Sequence, residues 1–160
     1  MDKSSYGRKD RLMQEREHDV YHSRAKLPDP TRCSQCGVVY AKGRWVWADA
    51  PEGASLTVCP ACRRIADRFP AGQIEMRGSF FAGHREEILN LVRNVEGREK
   101  ANHPMERIMA IEELPEGAGI TTTGIHLARG IGSALSSAYA GELSVRYLDG
   151  ENFVKISWVR

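Results

Sequence analysis

Two cysteine pairs, Cys33-Ser34-Gln35-Cys36 and Cys59-Pro60-Ala61-Cys62, decide how the first half of this 160-residue chain folds. Each pair places two sulfurs on one tight turn, and tetrahedral zinc is typically held by two such pairs through Zn–S bonds of about 2.3 Å. A segment of roughly 40 residues buries too little apolar surface to be stable alone, so metal binding would supply much of its folding free energy. Four thiolates leave no open coordination position, which indicates one structural Zn²⁺ and disfavours a catalytic ion. The predicted ligands are Cys33, Cys36, Cys59 and Cys62.

The cysteine pairs and two histidines allow two other interpretations. The two C-x-x-C pairs could be redox-active dithiols instead of metal ligands. His18 and His22 have the i,i+4 spacing of a helix and could hold a second metal. We favour neither, because histidines in a charged segment are usually solvated and a stable metal site needs more than two ligands.

The composition is that of an ordinary globular protein. Hydrophobic residues make up 41% and charged residues 28% of the chain, which is too apolar for disorder throughout. No stretch approaches the roughly 18 consecutive apolar residues of a membrane helix, and residues 1–24 are too charged for a signal peptide. We therefore expect a cytoplasmic protein without a membrane partner, in which reducing conditions keep the cysteines free for metal. The net charge of +2 requires that any attraction to nucleic acid comes from local clusters of arginine and lysine.

The pattern of charge, proline and cysteine divides the chain into three segments. Residues 1–30 are dense in charge and poor in large apolar residues, so we expect a flexible arm that ends in an extended linker at Pro28 and Pro30. Residues 31–70 form the predicted zinc ribbon, with strands at residues 38–40 and 44–47 separated by a turn at Lys42-Gly43. Residues 71–160 form the predicted α/β domain.

Strand and helix patterns alternate in the third segment. Strands are predicted at residues 73–77, 107–112, 118–122, 145–148 and 151–156, and helices from Ser79 to about Pro104 and from Thr123 to Gly141. The order βαββαββ predicts a ferredoxin-like sandwich with an additional C-terminal strand, so the chain as a whole belongs to the α+β class.

The last two strands carry a strong turn signal at Asp149-Gly150, since both residue types tolerate positive φ. A two-residue turn there pairs Arg146 with Phe153 and Val145 with Val154. The core side of this hairpin would then carry Leu143, Val145, Val154, Ile156 and Trp158. The opposite side would carry Ser144, Arg146, Phe153 and Lys155.

Two groups of residues suit contact with nucleic acid. Basic residues crowd the predicted ribbon and are interleaved with aromatic ones, a composition that favours phosphate contact and base stacking. They are Arg32, Lys42, Arg44, Arg63 and Arg64, with Trp45 as the aromatic candidate beside Tyr40 and Trp47. The tryptophans could instead cover a small core. The second group is Arg146, Phe153 and Lys155 on the hairpin, although one aromatic is fewer than an RNA-binding sheet usually shows.

The run Thr121-Thr122-Thr123 precedes the second predicted helix, where free amides could receive a phosphate with Arg129 nearby. Capping of the helix by a threonine is the more common use of such residues, and we favour it. The chain contains no nucleophile elbow, phosphate-binding loop, dinucleotide fingerprint or zinc-protease motif, and no small-molecule substrate is evident. We expect a protein that is not an enzyme.

Three stretches together resemble a known family: the two cysteine pairs, the first followed by Gly37, and residues 120–129 with the sequence ITTTGIHLAR. Over residues 10 to 160 the chain resembles small bacterial zinc-ribbon proteins of uncharacterised function. Over the ribbon and residues 121–147 it resembles, more distantly, the export adaptor of the large ribosomal subunit and its archaeal homologues. That resemblance implies contact with the ribosome or structured RNA. The adaptor has further cysteine pairs and domains, so nuclear export is not implied.

Our leading hypothesis is a non-enzymatic zinc-binding protein that docks on ribosomal or other structured RNA or ribonucleoprotein. The alternative is a thiol-based redox or zinc-release sensor, in which oxidation of the cysteine pairs unfolds the ribbon. A DNA-binding regulator is disfavoured, because no recognition helix is evident in the sequence.

Overall fold

The computed structural model describes Tyr21, residues 27–148 and residues 152–160. The arm predicted for residues 1–30, including His18 and His22, therefore lies mostly outside the described residues. The described part contains nine strands and four helices in two sheets, which confirms the α+β class. No helix in this part of the chain is long and apolar enough to cross a membrane.

The first sheet belongs to the predicted ribbon and contains four strands of three residues each. They are β1 (Thr31–Cys33), β2 (Val39–Ala41), β3 (Arg44–Val46) and β4 (Ser55–Thr57), in the spatial order β3-β2-β1-β4. Strands β1 and β4 are parallel and the other pairs antiparallel. The hairpin of β2 and β3 is the predicted one, with Lys42 and Gly43 at positive φ in its turn. Helix α1 (Pro60–Asp67) follows and begins at the second cysteine pair.

The second sheet contains five strands, and three helices accompany it. The elements are β5 (Gly72–Arg77), α2 (Ser79–Gly83), α3 (Arg85–Asn102), β6 (Ile108–Leu114), β7 (Gly117–Thr122), α4 (Ile125–Tyr139), β8 (Glu142–Leu148) and β9 (Phe153–Val159). The spatial order is β6-β7-β5-β9-β8, with β5 and β9 parallel. The chain order agrees with the predicted βαββαββ pattern, except that the first predicted helix is divided at His84 into α2 and α3. The ferredoxin-like arrangement itself is not confirmed, because the additional strand β9, and not β8, lies beside β5.

One face of this sheet packs against the helices and forms the main core. Alternate residues of β5, Ile74 and Met76, point into this core, as the period of two in a strand requires. They meet Ile88 and Val92 of α3 together with Ile131 of α4. The indole of Trp158 is fully buried and donates its N–H to the carbonyl of Ala140, 2.7 Å away. A second, smaller core surrounds the four cysteines.

The register of the last hairpin differs from the predicted one by two residues. Leu148 pairs with Phe153, and Arg146 pairs with Lys155, so four residues connect the strands and not two. A slip of two residues leaves every side chain on its predicted face, because the side-chain period of a strand is two. Leu143 and Val145 therefore lie on the helix side, but they remain exposed because β8 is an edge strand of the sheet.

Candidate metal centre

The four cysteines converge at one point between the first sheet and helix α1. Their Sγ atoms all lie within 4.8 Å of one another, which is close enough to hold a single metal ion. Cys33 ends β1, Cys59 is the N-cap of α1, and Cys62 lies in the first turn of that helix. The predicted convergence of the two cysteine pairs is therefore confirmed. Val38, Ala61 and Trp45 pack around the sulfurs and shield them from water.

Backbone amides point at the sulfurs. The amides of Gln35 and Cys59 donate to Cys33 Sγ over 3.4 and 3.3 Å, and the amide of Cys62 donates to Cys59 Sγ over 3.4 Å. The turn that presents the Gln35 amide closes with a bond from the Gly37 amide to the Cys33 carbonyl, and the φ of +80° at Gly37 is unfavourable for other residues. Amides directed at sulfur favour the thiolate, which is the form that binds metal.

The sulfurs differ in acidity. Burial would raise the pKa of the Cys33 thiol, but hydrogen bonds from the amides of Cys59, Cys36 and Gln35 outweigh it and lower that pKa to about 6. Burial dominates at Cys59 and at Cys62 and raises the pKa of both thiols. A bound cation would favour the thiolate at every position, since a coordinating thiol is deprotonated.

Arg107 of the α/β domain closes the cysteine cluster from the other side. Its side chain is 6% exposed, and its guanidinium donates to Cys36 Sγ and Cys62 Sγ over 3.2 and 3.3 Å and reaches Cys59 Sγ at 3.7 Å. Its Nε donates to the carbonyl of Pro104 over 2.8 Å. Burial would lower the pKa of Arg107, but the contacts with Cys36 and Cys62 outweigh burial and raise it. One cation therefore covers three of the four sulfurs.

Thr123 fixes the backbone of Arg107. Its hydroxyl accepts the amide of Arg107 over 2.8 Å and donates to the carbonyl of Met105 over 2.6 Å, while its own amide donates to the carbonyl of Arg107. Thr122 donates its hydroxyl to the carbonyl of Gly124. These contacts give the threonine run a structural role that joins α4 to the cysteine cluster.

The favoured interpretation of these threonines as helix caps is wrong. The N-cap of α4 is Gly124, and no side chain of its own caps the helix. The carboxylate of Glu106 accepts the amide of Leu127 over 3.0 Å and takes the position expected for a capping group. The same carboxylate occupies the N-terminal end of α4, where the alternative interpretation placed a phosphate. Arg129 is exposed on α4.

The residues predicted to contact nucleic acid fall into different environments. Arg32, Lys42, Arg44 and Arg63 are exposed on the ribbon. Arg64 is buried and donates to the carbonyl of Phe69 over 2.9 Å. Trp45 packs beside the cysteine cluster, with its ring edge-on to Tyr40 at 5.3 Å between centroids.

Trp47 and the hairpin residues have surroundings of their own. The indole of Trp47 donates to the carbonyl of Lys100 over 2.8 Å, and the guanidinium of Arg107 lies 5.4 Å from its ring centroid. Trp47 therefore helps to join the ribbon to α3. On the hairpin, Arg146 and Lys155 are exposed cross-strand neighbours, and Phe153 is half-buried opposite Leu148.

Arg107 was not found from the sequence. It lies 45 residues from Cys62, and a single arginine at the start of a strand carries no signal of contact with sulfur. The comparisons with known proteins add no such signal, because no family model, no curated protein and no solved structure matches the chain.

Proposed function

We propose that this chain is a non-enzymatic zinc protein that docks on ribosomal or other structured RNA through its ribbon. The convergence of four sulfurs on one point carries the proposal. Four thiolates within 4.8 Å of one another suit Zn²⁺, and the soft sulfur donors disfavour magnesium and calcium. Cys33, Cys36, Cys59 and Cys62 would hold the ion, which would supply folding free energy to a segment with a small core of its own.

The charge around the cluster supports a structural role for the metal. A divalent ion neutralises two of the four thiolate charges, and Arg107 neutralises a third. The guanidinium also occupies the side from which a substrate would approach Cys36, Cys59 and Cys62. A catalytic zinc would need a coordination position left open for water, and a four-cysteine site offers none.

The exposed basic residues of the ribbon supply the proposed RNA contact. Lys42 and Arg44 flank the turn of the β2–β3 hairpin, and Arg32 and Arg63 lie on neighbouring elements of the same small unit. Among the residues that the structure describes, none of these four forms an ion pair with a carboxylate. Cations without a carboxylate partner are available to phosphates, which dominate the affinity of RNA-binding proteins. The resemblance to the ribosomal export adaptor makes the large ribosomal subunit the first partner to test.

Two experiments test this function. One is sedimentation of a cell lysate through a sucrose gradient, and the other is binding of purified ribosomal RNA by the protein. We expect co-sedimentation with ribosomal particles at low salt and an affinity that falls about 100-fold between roughly 50 and 200 mM salt, as four phosphate contacts require. Arg44→Glu with Arg63→Glu should weaken binding at least about tenfold. Arg93→Glu with Arg98→Glu is the matched control, because it reverses the same charge on the exposed side of α3. Equal loss in both pairs, or no binding at low salt, contradicts the proposal.

A zinc-release sensor is the second candidate, and one distance favours it. Cys36 Sγ lies 3.8 Å from Cys59 Sγ, so peroxide could oxidise this pair to a disulfide, with two electrons passing to the peroxide and two ligands lost from the metal. Cys33 and Cys59 are buried and Arg107 covers three sulfurs, which should slow that reaction. Titration with peroxide while zinc release is recorded separates the two functions, since a docking protein needs no such sensitivity.

A further inference from the structure

A cleft of about 700 Å³ lies between the ribbon and the α/β domain. This is within the range of about 300–1,000 Å³ that is typical of ligand pockets. The ribbon contributes Tyr40, Arg44, Trp45 and Arg63 to its wall, and the α/β domain contributes His103, Met105, Glu106 and His126. Neither unit forms the cleft alone. Its lining therefore depends on the contacts of Arg107 and Trp47 that hold the two units together.

The ribbon wall combines positive charge with aromatic surface. Arg63 has only a long contact of 3.5 Å with the hydroxyl of Thr57, and in the described part of the chain neither Arg44 nor Arg63 pairs with a carboxylate. Tyr40 and Trp45 lie beside these cations on the adjacent strands β2 and β3. Both rings are partly exposed. Arginine next to accessible aromatic surface is the arrangement that binds the phosphate and the base of an unpaired nucleotide.

The opposite wall carries groups that can bond to the edge of a base. The imidazole of His126 is mostly exposed, and its Nε2 lies 3.2 Å from a carboxylate oxygen of Glu99, which orients the ring. His103 meets His126 edge to face, with 5.9 Å between ring centroids. Imidazoles offer a donor and an acceptor, and Glu106, one of whose oxygens accepts the Leu127 amide, adds a carboxylate to the lining.

We propose that this cleft binds an unpaired nucleoside phosphate, with the phosphate at Arg44 and Arg63 and the base between the aromatic pair and His126. The inference rests on the proposed function and narrows it, because a base that is stacked and paired inside a duplex cannot enter a cleft. The RNA that this protein docks on is therefore expected to present a single-stranded segment, such as a loop or an end, at the ribbon.

Fluorescence anisotropy tests the cleft with three probes. They are a labelled single-stranded RNA, the same strand annealed to its complement, and unlabelled nucleoside monophosphates. We expect the single strand to bind at least about tenfold more tightly than the duplex, because stacking of one base contributes about 1–3 kcal/mol. Tyr40→Ala and His126→Ala should each weaken single-strand binding about fivefold or more and leave duplex binding unchanged. His126 is exposed, so its variant tests the cleft even if Tyr40→Ala disturbs the ribbon. Arg93→Ala, on the exposed side of α3, is the control.

The outcomes separate the cleft from the proposed function. Equal binding of single strand and duplex, unaffected by His126→Ala, overturns the cleft and leaves RNA docking intact. If monophosphates bind as tightly as the oligonucleotide and the protein fails to bind ribosomal RNA, the nucleoside phosphate site is supported and RNA docking is overturned. Absence of binding by all three probes overturns both.

The edge strand β8 supports a second inference, which is independent of RNA. The other edge of the sheet, β6, is protected by an irregularity between Ile108 and Ala110 and by the exposed acids Glu112 and Glu113. Strand β8 has a regular ladder of seven residues and exposes Leu143, Val145 and Tyr147 on one side, by 36, 46 and 53%. Long apolar edges of this kind pair readily with another strand.

The sequence of β8 is complementary to itself. If two copies pair antiparallel about Ser144, Glu142 of each copy faces Arg146 of the other, and Leu143 faces Val145. A two-fold interface requires that one patch matches its own copy. We infer that a second copy of this chain covers β8 and extends the sheet to ten strands across the dimer.

Sedimentation velocity over a range of concentrations tests the dimer. Val145→Lys should give a monomer, whereas Val159→Lys, an equivalent change at an exposed valine of β9, should not. Glu142→Arg alone should weaken dimerisation, and its combination with Arg146→Glu should restore it, because the facing charges are exchanged. A wild-type monomer at all concentrations, or a dimer that persists in Val145→Lys, overturns this inference. Failure of the double variant to recover overturns the register about Ser144.

Discussion

Arg107 contacts three of the four sulfurs, so we expect it to affect how tightly the cysteine cluster binds the proposed zinc ion. We expect Arg107→Met to retain the fold but to weaken zinc affinity by about 10–100-fold, the usual effect of removing an outer-shell partner. The variant loses three contacts with sulfur and the bond to Pro104, while methionine fills much of the same space. Competition with a chromogenic chelator measures the affinity. Arg129→Met on the exposed side of α4 is the control, and unchanged affinity in Arg107→Met would show that the sulfur contacts do not hold the metal.

Glu106 gives stability a dependence on pH whose sign can be worked out. Burial raises the pKa of the Glu106 carboxyl above its ordinary value of 4.5, and the amide of Leu127 offsets this only in part. Between the unfolded and the folded pKa, the native state holds more protons than the unfolded state, so this group makes stability fall as pH rises. We expect the free energy of unfolding of Glu106→Gln, minus that of the wild type, to increase from pH 4.5 upward and then level off. Urea titrations at several pH values measure it, and a constant or decreasing difference contradicts the expectation.

Helix α4 begins against the Glu106 carboxylate, and a methyl group there should disrupt the cap. A Cβ on Gly124 would lie 1.9 Å from Glu106 Oε2, so Gly124→Ala must displace the carboxylate from the Leu127 amide. We expect a loss of about 1–2 kcal/mol, comparable to the removal of a helix cap. Gly97→Ala is the matched control, because nothing lies within 4 Å of its Cβ in the middle of α3. It should stabilise by about 0.5–1 kcal/mol in the same urea titration. Equal effects from both variants would exclude the proposed capping role.

Long helices with apolar residues at regular spacing were predictable from the sequence. Short strands, and contacts between residues distant in the chain, were not. Helices α3 and α4 carry apolar residues at helical spacing over 18 and 15 residues, which is enough to identify them. Strands β1 and β4 have three residues each, too few to show any period, and they pair beside the point where the two cysteine pairs converge. The candidate metal ligands were predictable because their spacing along the chain reflects a local turn. Arg107 and the Glu106 cap were not, because each acts on residues distant in sequence.

The whole molecule has two cores that differ in what holds them together. The core of the α/β domain contains large side chains such as Trp158, Phe81 and Ile120, which bury enough apolar surface to be stable without metal. The core of the ribbon consists of Cys33, Val38, Cys59 and Ala61, with a few half-buried neighbours. Such a small core cannot offset the entropy of ordering the ribbon, so its stability should depend on the metal.

Removal of zinc should therefore unfold the ribbon and leave the α/β domain folded. We expect excess chelator under reducing conditions to shift the NMR signals of Trp45 and Trp47, while the indole N–H of Trp158, bonded to the Ala140 carbonyl, keeps its chemical shift and its protection from exchange. The unfolded ribbon no longer covers Arg107, so its guanidinium loses its sulfur partners and becomes solvated. Cys36→Ser should reproduce the zinc-free spectrum at normal zinc concentrations. If all three indoles shift together, the two cores unfold as one unit, and the ribbon is not a separately metal-dependent platform.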